Sequence, residues 1–276
     1  MEENKIKHIL IPVDFSEYSL FACEVGFNYA HDVGAGVDIL HSVITGEESV
    51  QIQKKTEADL DKLIASINEK VSAKQWPDVP YRYFLRNGLP EEEIVSHCNK
   101  TKPEMIIMGT RGKNRKDADL IGSVTAEVIE NVTVPLLAIP ENTPFRSLSH
   151  VKKVAFGTSF GQKDLDAFDN LFKLLKSYPI EYYLFHLARR SNVWNEIKLV
   201  GIKEYFQKQY PGIPINYRIV DADDLVLNVE NFVREEAIDV ISLTTYKRSL
   251  FARIFNSGIA RKMLFHTDTP LLAMSC

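Results

Sequence analysis

The sequence predicts an α/β protein built as two tandem domains, each a mainly five-stranded parallel, doubly wound sheet with helices on both faces. Three observations carry this expectation. Short continuous apolar runs, such as residues 9–13, 105–108 and 134–139, alternate with longer segments of helical periodicity. Strands buried on both faces by crossover helices read this way. The chain also repeats itself. Lys7-His8-Ile9-Leu10-Ile11 aligns with Lys152-Lys153-Val154-Ala155-Phe156 at an offset of 145, and Ile39-Leu40-His41 aligns with Leu184-Phe185-His186 at the same offset. Met105-Ile106-Ile107-Met108 then falls on Val240-Ile241-Ser242-Leu243, and Val134-Pro135-Leu136-Leu137-Ala138 on Thr269-Pro270-Leu271-Leu272-Ala273, both at an offset of 135. One offset that holds, shifts once by about ten residues and holds again is the mark of duplication with a deletion between the second and fourth strands. Finally, 276 residues suit about two domains.

Each element of the first copy has its own local reason. Residues 9–13 are the first strand; Ser16 then caps a helix whose Tyr18, Phe21, Ala22, Val25 and Tyr29 share one face, with Gly34 as the stop. Residues 37–43 give a second strand, and 57–71, with Leu60, Leu63, Ile64 and Ile67, a second helix. Residues 81–85 are a third strand, 91–100 a helix behind Pro90, 105–108 a fourth strand, 122–131 a fourth helix and 136–139 a fifth strand. The polar, proline-bearing stretch 141–147 reads as the linker, which places the domains at 1–145 and 146–276.

Composition bounds the partners. The chain is 45% hydrophobic and 25% charged with a formal net charge of −4, enough apolar surface to fold and no short-period glycine or proline pattern. The halves differ in sign, net −8 for residues 1–145 and +4 for 146–276. No apolar run approaches the length of a membrane span, and the start, Met1-Glu2-Glu3-Asn4-Lys5, is acidic rather than leader-like. Cys23, Cys98 and Cys276 form no Cys-x-x-Cys pair, so neither a disulfide framework nor a thiolate zinc site is expected. These features suggest a cytoplasmic protein without membrane or nucleic-acid partners.

The chemistry concentrates after the fourth strand. Gly109, Gly112 and Gly122-Ser123 form a Gly-x2-Gly-x9-Gly-Ser pattern that opens a helix. Glycines let the backbone turn and let an anion approach, and free N–H groups at a helix start favour phosphate oxygens. Ser123 and Thr125 add hydroxyl donors, and Arg111, Lys113, Arg115 and Lys116 add positive charge in an acidic half. The same residues also read as turn glycines followed by a solvated basic loop. Neither a P-loop nor a dinucleotide fingerprint occurs.

Taken with Ile9-Leu10-Ile11-Pro12-Val13-Asp14-Phe15-Ser16 and Ile39-Leu40-His41-Ser42-Val43, the glycine motif running into Val134-Pro135-Leu136-Leu137 resembles the universal stress proteins in their tandem form, once well and once weakly along the chain. The resemblance implies Rossmann-like, adenine nucleotide alpha hydrolase-like domains paired through their last strands as an intrachain pseudo-dimer, with a further homodimer compatible. It implies ATP or AMP as ligand, with Mg2+ accompanying ATP. Position by position, it implies that Pro12, Val13 and Asp14 line the nucleoside, with the Asp14 carboxylate on the ribose hydroxyls. Ser42 falls at the adenine-facing strand end, and Met108 and Gly109 lie near base and ribose. Gly112, Gly122, Ser123, Val124 and Thr125 match the phosphate cradle. Asp14 also reads simply as a helix-start carboxylate.

The second copy departs from this pattern. Gly109, Gly112, Gly122 and Asp14 become Thr244, Lys247, Ser257 and Ser159, with Gly258 one place late. This half is therefore expected to have lost the nucleotide site, while Lys247, Arg248, Arg253, Arg261 and Lys262 keep a basic surface. No catalytic constellation assembles. His41 and His186 recur at equivalent strand ends, where backbone groups can satisfy them; His97 and Cys98 are adjacent and are expected on different helix faces; the acidic runs 91–93 and 221–224 suit helix starts and turns. The sequence thus predicts a non-enzymatic, nucleotide-binding stress-response protein with one working site. A slow ATPase and an interaction protein without nucleotide are the alternatives.

Overall fold

The computed structural model describes residues 7–44, 49–110, 123–140, 142–188, 193–245 and 269–275. The chain divides into two compact units, Met1–Leu148 and Ser149–Cys276. In the first, β1 (His8–Pro12), α1 (Glu17–Val33), β2 (Gly36–Val43), α2 (Ser49–Ser72), β3 (Tyr81–Asn87), α3 (Pro90–Thr101), β4 (Met105–Gly109), α4 (Ser123–Asn131) and β5 (Leu136–Ile139) follow in order. A short 3-10 turn, Leu148–His150, leads into the second. There β6 (Lys153–Gly157), α5 (Gln162–Leu175), β7 (Glu181–Ala188), α6 (Val193–Gln209), β8 (Ile215–Asp221), α7 (Leu225–Glu235), β9 (Val240–Thr244) and β10 (Leu271–Met274) repeat the series.

The sheet order is β3-β2-β1-β4-β5 in the first unit and β10-β9-β6-β7-β8 in the second, and every strand pair within each unit is parallel. Parallel strands need crossover helices, which cover both faces and explain why Ile9, Leu10, Ile11, Met105, Ile106 and Ile107 are all fully buried. Between β1 and β4 the strand order reverses. The crevice beyond the carboxyl ends of those two strands is where open α/β sheets hold ligands.

Local chemistry sets the element ends. The Ser16 side chain accepts from the Ser19 amide at 3.2 Å and starts α1, and Gly34, at φ 67°, ends it in the left-handed conformation. Helix α2 begins at Ser49, eight residues before the apolar spacing indicates, and Leu60, Leu63 and Ile67 are its buried face. The shortening between the copies falls largely in this region, where α2 has 24 residues and α6 has 17.

The two cores are packed differently. A Cβ on Gly26 of α1 would lie 2.3 Å from Ile11 Cδ1, so any larger residue there would require the Ile11 side chain to move. In the second unit the positions of Gly26 and Ile11 hold Leu171 and Phe156, both buried, and the position of Ile107 holds the smaller Ser242. Added volume at two positions is offset at a third, which is how interiors keep their density.

Candidate functional site

At the switch point of the first unit, β1 ends at Pro12 and runs into Val13, and both are buried. The Val13 amide donates to the Leu40 carbonyl at 2.8 Å, which holds the strand end against β2 and directs the next residue out of the sheet. That residue, Asp14, is half-buried and its Oδ1 accepts from the Ser16 amide at 3.1 Å and the Ser16 hydroxyl at 2.5 Å. Asp14 therefore helps to fix the residue that caps α1. Phe15 follows at φ 60°, a conformation an L side chain adopts only under restraint, and its ring packs on His41 with centroids 4.3 Å apart.

Ser42, at the end of β2, donates to the Gly88 carbonyl at 2.6 Å and clasps β2 to the turn before α3. On the other side of the crevice lie Met108, buried, and Gly109, half-buried, at the end of β4. A Cβ on Gly109 would sit 3.1 Å from the backbone carbon and oxygen of Tyr18 in α1. This glycine eases the close packing of strand end on helix start, a role the anion-binding reading of the motif did not include. At the start of α4, Ser123 is exposed, Val124 half-buried and Thr125 buried. The Thr125 hydroxyl donates to the Gly109 carbonyl at 3.2 Å, so it ties α4 to β4.

The structure thus brings Pro12, Val13, Asp14, Ser42, Met108, Gly109, Ser123, Val124 and Thr125 to the carboxyl edge of one sheet. Gly112 and Gly122 lie outside the described residues, as do Arg111, Lys113, Arg115 and Lys116. So do Lys247, Arg248, Arg253, Ser257, Gly258, Arg261, Lys262 and Cys276.

Similarity to known proteins agrees with this architecture. The model of the "Universal stress protein family" matches residues 5–140. A universal stress protein of Methanocaldococcus jannaschii is 31% identical over 146 residues, 50% of this chain and 84% of that protein. The chain belongs to the universal stress protein family. Universal stress protein YxiE of Bacillus subtilis is 25% identical over 146 residues, 48% of this chain and 97% of its own. Each of these relatives corresponds to about one half of the present chain. The crystal structure of a universal stress protein from Archaeoglobus fulgidus covers 98% of this chain and 99% of its own with a TM-score of 0.73 at 16% identity, and so shares the fold over the whole length.

In this universal stress protein the second unit handles the equivalent crevice differently. Thr244 stands in the place of Gly109 and is buried, and its hydroxyl donates to Asp164 Oδ1 at 3.2 Å. Asp164, also buried, replaces Ser19 of the first unit. Its Oδ2 accepts from the Ser159 amide at 2.8 Å, the Ser159 hydroxyl at 2.7 Å and the Gly161 amide at 3.3 Å. The carboxylate that stands on the strand-end loop of the first unit has moved onto the first turn of α5, where it faces inward and gathers donors from the β6 end and from β9. Sequence reasoning noted the change from Asp14 to Ser159 but not the compensating gain of Asp164. The signal was an aspartate three residues after a glycine at a helix start.

Some features are the same in both copies. His186 Nδ1 lies 2.8 Å from the Thr158 carbonyl as His41 Nδ1 lies 2.7 Å from that of Val13, and Phe160, at φ 62°, packs on His186 at 4.3 Å as Phe15 does on His41. A device kept in the copy that lost the glycine motif serves the strand-to-helix turn rather than a ligand.

His97 and Cys98, adjacent on α3, are both buried. The ring of His97 reaches Asp38 Oδ2 at 3.3 Å, and burial pushes the Cys98 thiol up to about 12, which keeps it protonated and inert. The acidic runs act locally: Glu91, Glu92 and Glu93 lie in the first turn of α3, and Asp224 caps α7 by accepting from the Leu227 amide. Among the described residues no group of histidine, cysteine and carboxylate side chains is placed to hold a metal ion. No helix among the described residues is long and apolar enough to cross a membrane.

Proposed function

We infer that the first unit binds an adenine nucleotide, ATP or AMP, at the β1/β4 switch point, and that the protein is a stress-response module regulated by that ligand. The observation that supports this best is the contrast between the two crevices. In the first, the β4 end carries no side chain at Gly109 and stands beside the Asp14 carboxylate and the exposed start of α4. In the second, Thr244 and Asp164 bond to one another across the same place. An adenine nucleotide offers a ribose whose hydroxyls donate to a carboxylate and phosphates that accept from helix-start amides and hydroxyls. Asp14 supplies the first kind of partner and Ser123, with the glycines that precede it, the second. Pro12, Val13, Met108 and the end of β2 supply apolar and backbone surface for the base. Mg2+ would arrive with ATP on its phosphates.

The second unit, on this reading, is a degenerate domain with no nucleotide. Its Asp164 carboxylate already occupies the donors that face the crevice and would repel an incoming phosphate.

Isothermal titration of the full chain with ATP, ADP and AMP tests this. One molecule bound per chain is expected, with affinity reduced at least tenfold by Gly122→Glu and unchanged by Ser257→Glu. Absence of binding at millimolar nucleotide, or equal binding by the wild type and Gly122→Glu, would remove the proposal. Gly109→Ala is a poor probe, since it also disturbs the packing against Tyr18.

A further inference from the structure

Helix α6 of the second unit presents an apolar stripe to solvent. Val193 is 69% exposed, Trp194 71%, Ile197 53%, Val200 58% and Tyr205 40%. These are five of the nine large apolar side chains recorded as exposed among the described residues. Isolated exposed apolar residues are ordinary, but a contiguous group on one helix is not. The inner face of the same helix is separately accounted for by Asn195 and Phe206, both buried, with Leu199 and Ile202 half-buried. Phe206 packs on Phe168 of α5 at 4.7 Å and on Tyr210 at 5.5 Å. Helix α6 therefore has two apolar faces, and the fold of its unit uses one.

The first unit provides an internal control. The equivalent helix, α2, shows solvent only polar side chains and alanines along its described outer face: Gln53, Lys54, Glu57, Ala58, Asp61, Lys62 and Ala65 are exposed. The two helices descend from one ancestor and hold the same place in the same topology, so the topology does not require the apolar face.

Gly201 lies on that face, between Val200 and Tyr205. It is exposed, and a Cβ there would meet nothing within 4 Å. Glycine is the poorest helix former after proline, and here no neighbour within the chain requires it. Close approach by another helix would.

We propose that this face of α6 is a self-association surface on which two copies of the chain pair helix against helix about a two-fold axis near Gly201. The occupant follows from area and charge. The five side chains expose on the order of 500 Å2 in one copy, so two copies would bury about the 1,000 Å2 at which specific interfaces begin. The helix also carries Glu196 and Glu204 among Lys198, Lys203 and Lys208. Interleaved signs of this kind do not suit an anionic lipid surface, which selects lysine-rich helices. A two-fold pairing is self-complementary: Ile197 and Trp194 of each copy pack over the groove that Gly201 leaves on the other, with the charged residues at the rim.

The test uses the full chain. Trp76 is buried against Phe27, so a Trp76→Phe background leaves Trp194 as the lone indole. In this background the tryptophan emission should shift to the blue and lose acrylamide quenching between 0.1 and 100 μM protein, about the range in which an interface of this size closes. Sedimentation equilibrium on the wild type should show the same concentration dependence. Ile197→Glu should weaken the association at least tenfold. Gly201→Gln should weaken it as much while leaving the unfolding midpoint at low concentration unchanged or raised, because the site is open within one copy and glutamine is the better helix former. Association that is equally strong in both variants, or an indole that stays solvent-exposed at every concentration, would overturn the proposal. So would co-sedimentation of Trp194-dependent, monomeric protein with phosphatidylserine vesicles.

Discussion

Asp38 has no exposed side-chain surface in the middle of β2, yet it carries a charge. Arg82 on β3 holds it with two hydrogen bonds of 3.0 Å, His97 on α3 reaches it at 3.3 Å, and His8 Nδ1 stands 3.4 Å away. Burial pushes this carboxyl up, but the hydrogen bonds from His97 and Arg82, then the charges of Arg82 and His8, outweigh it and hold the pKa below the usual carboxylate value. The folded protein therefore binds fewer protons here than the unfolded chain at acidic pH. The stabilisation is complete above the unfolded value of about 4 and is lost as pH falls through the lower folded value. Asp38→Asn keeps the shape and removes the charge, leaving one acceptor oxygen where Arg82 and His97 use two and placing an NH2 group against their donors. It should cost about 2–4 kcal/mol in urea unfolding at neutral pH. The gap between variant and wild type should narrow on going from pH 5 to pH 3. A gap that stays constant over that range would show that the charge is not what stabilises the cluster. A charge inside the apolar run of residues 37–43 is visible in the sequence, but its partners are not, because they arrive from three other elements, β1, β3 and α3.

Helices and strands were legible where a repeat or a cap announced them. Ser16 and Gly34 bound α1 because a side-chain oxygen and a missing Cβ do specific work at a helix end. The strands were legible because burial on both faces leaves unbroken apolar runs. The beginning of α2 was not, since residues 49–56 carry little apolar spacing, and α6 hid its second face because apolar residues on two sides of a helix leave no single stripe. The ends of α3 and α7 were equally silent. Lys102 and Ala237, equivalent in the two copies, both sit in the left-handed region, at φ 48° and 51°, without the glycine that normally marks such a place. The strain belongs to the turn and has been retained through divergence. Lys102→Gly and Ala237→Gly should therefore each raise stability by roughly 0.5–1 kcal/mol, the relief of a Cβ in that region less the added freedom of the unfolded chain. Calorimetric melting of the full chain measures it. A lower midpoint for Ala237→Gly would mean that the methyl group supplies packing worth more than the strain.

At the scale of the whole chain, one topology has been used twice and the copies have parted at the strand ends. The glycine motif itself was plain in the sequence, whereas the reason for the loss in the second copy was not, because Asp164 becomes meaningful only when α5 folds it back toward Thr244. A ligand that binds through the first crevice will leave a footprint in amide hydrogen exchange, since it stabilises the folded state in proportion to its occupancy and most strongly where it touches. With saturating ATP or AMP, exchange should slow in peptides covering the end of β1 through Ser16, the end of β4 and the start of α4. The equivalent peptides of the second unit, from Gly157 to Gly161 and around Thr244, should keep their rates. Asp164→Ser with Thr244→Gly tests the cause, for it restores the first unit's residues at two positions and removes the carboxylate. If that carboxylate is what excludes anions, this variant should show slowed exchange near Ser159 in the presence of millimolar phosphate, while the wild type does not. Protection that appears in both units of the wild type would mean that the second crevice binds after all, and that its internal hydrogen bonds yield to ligand.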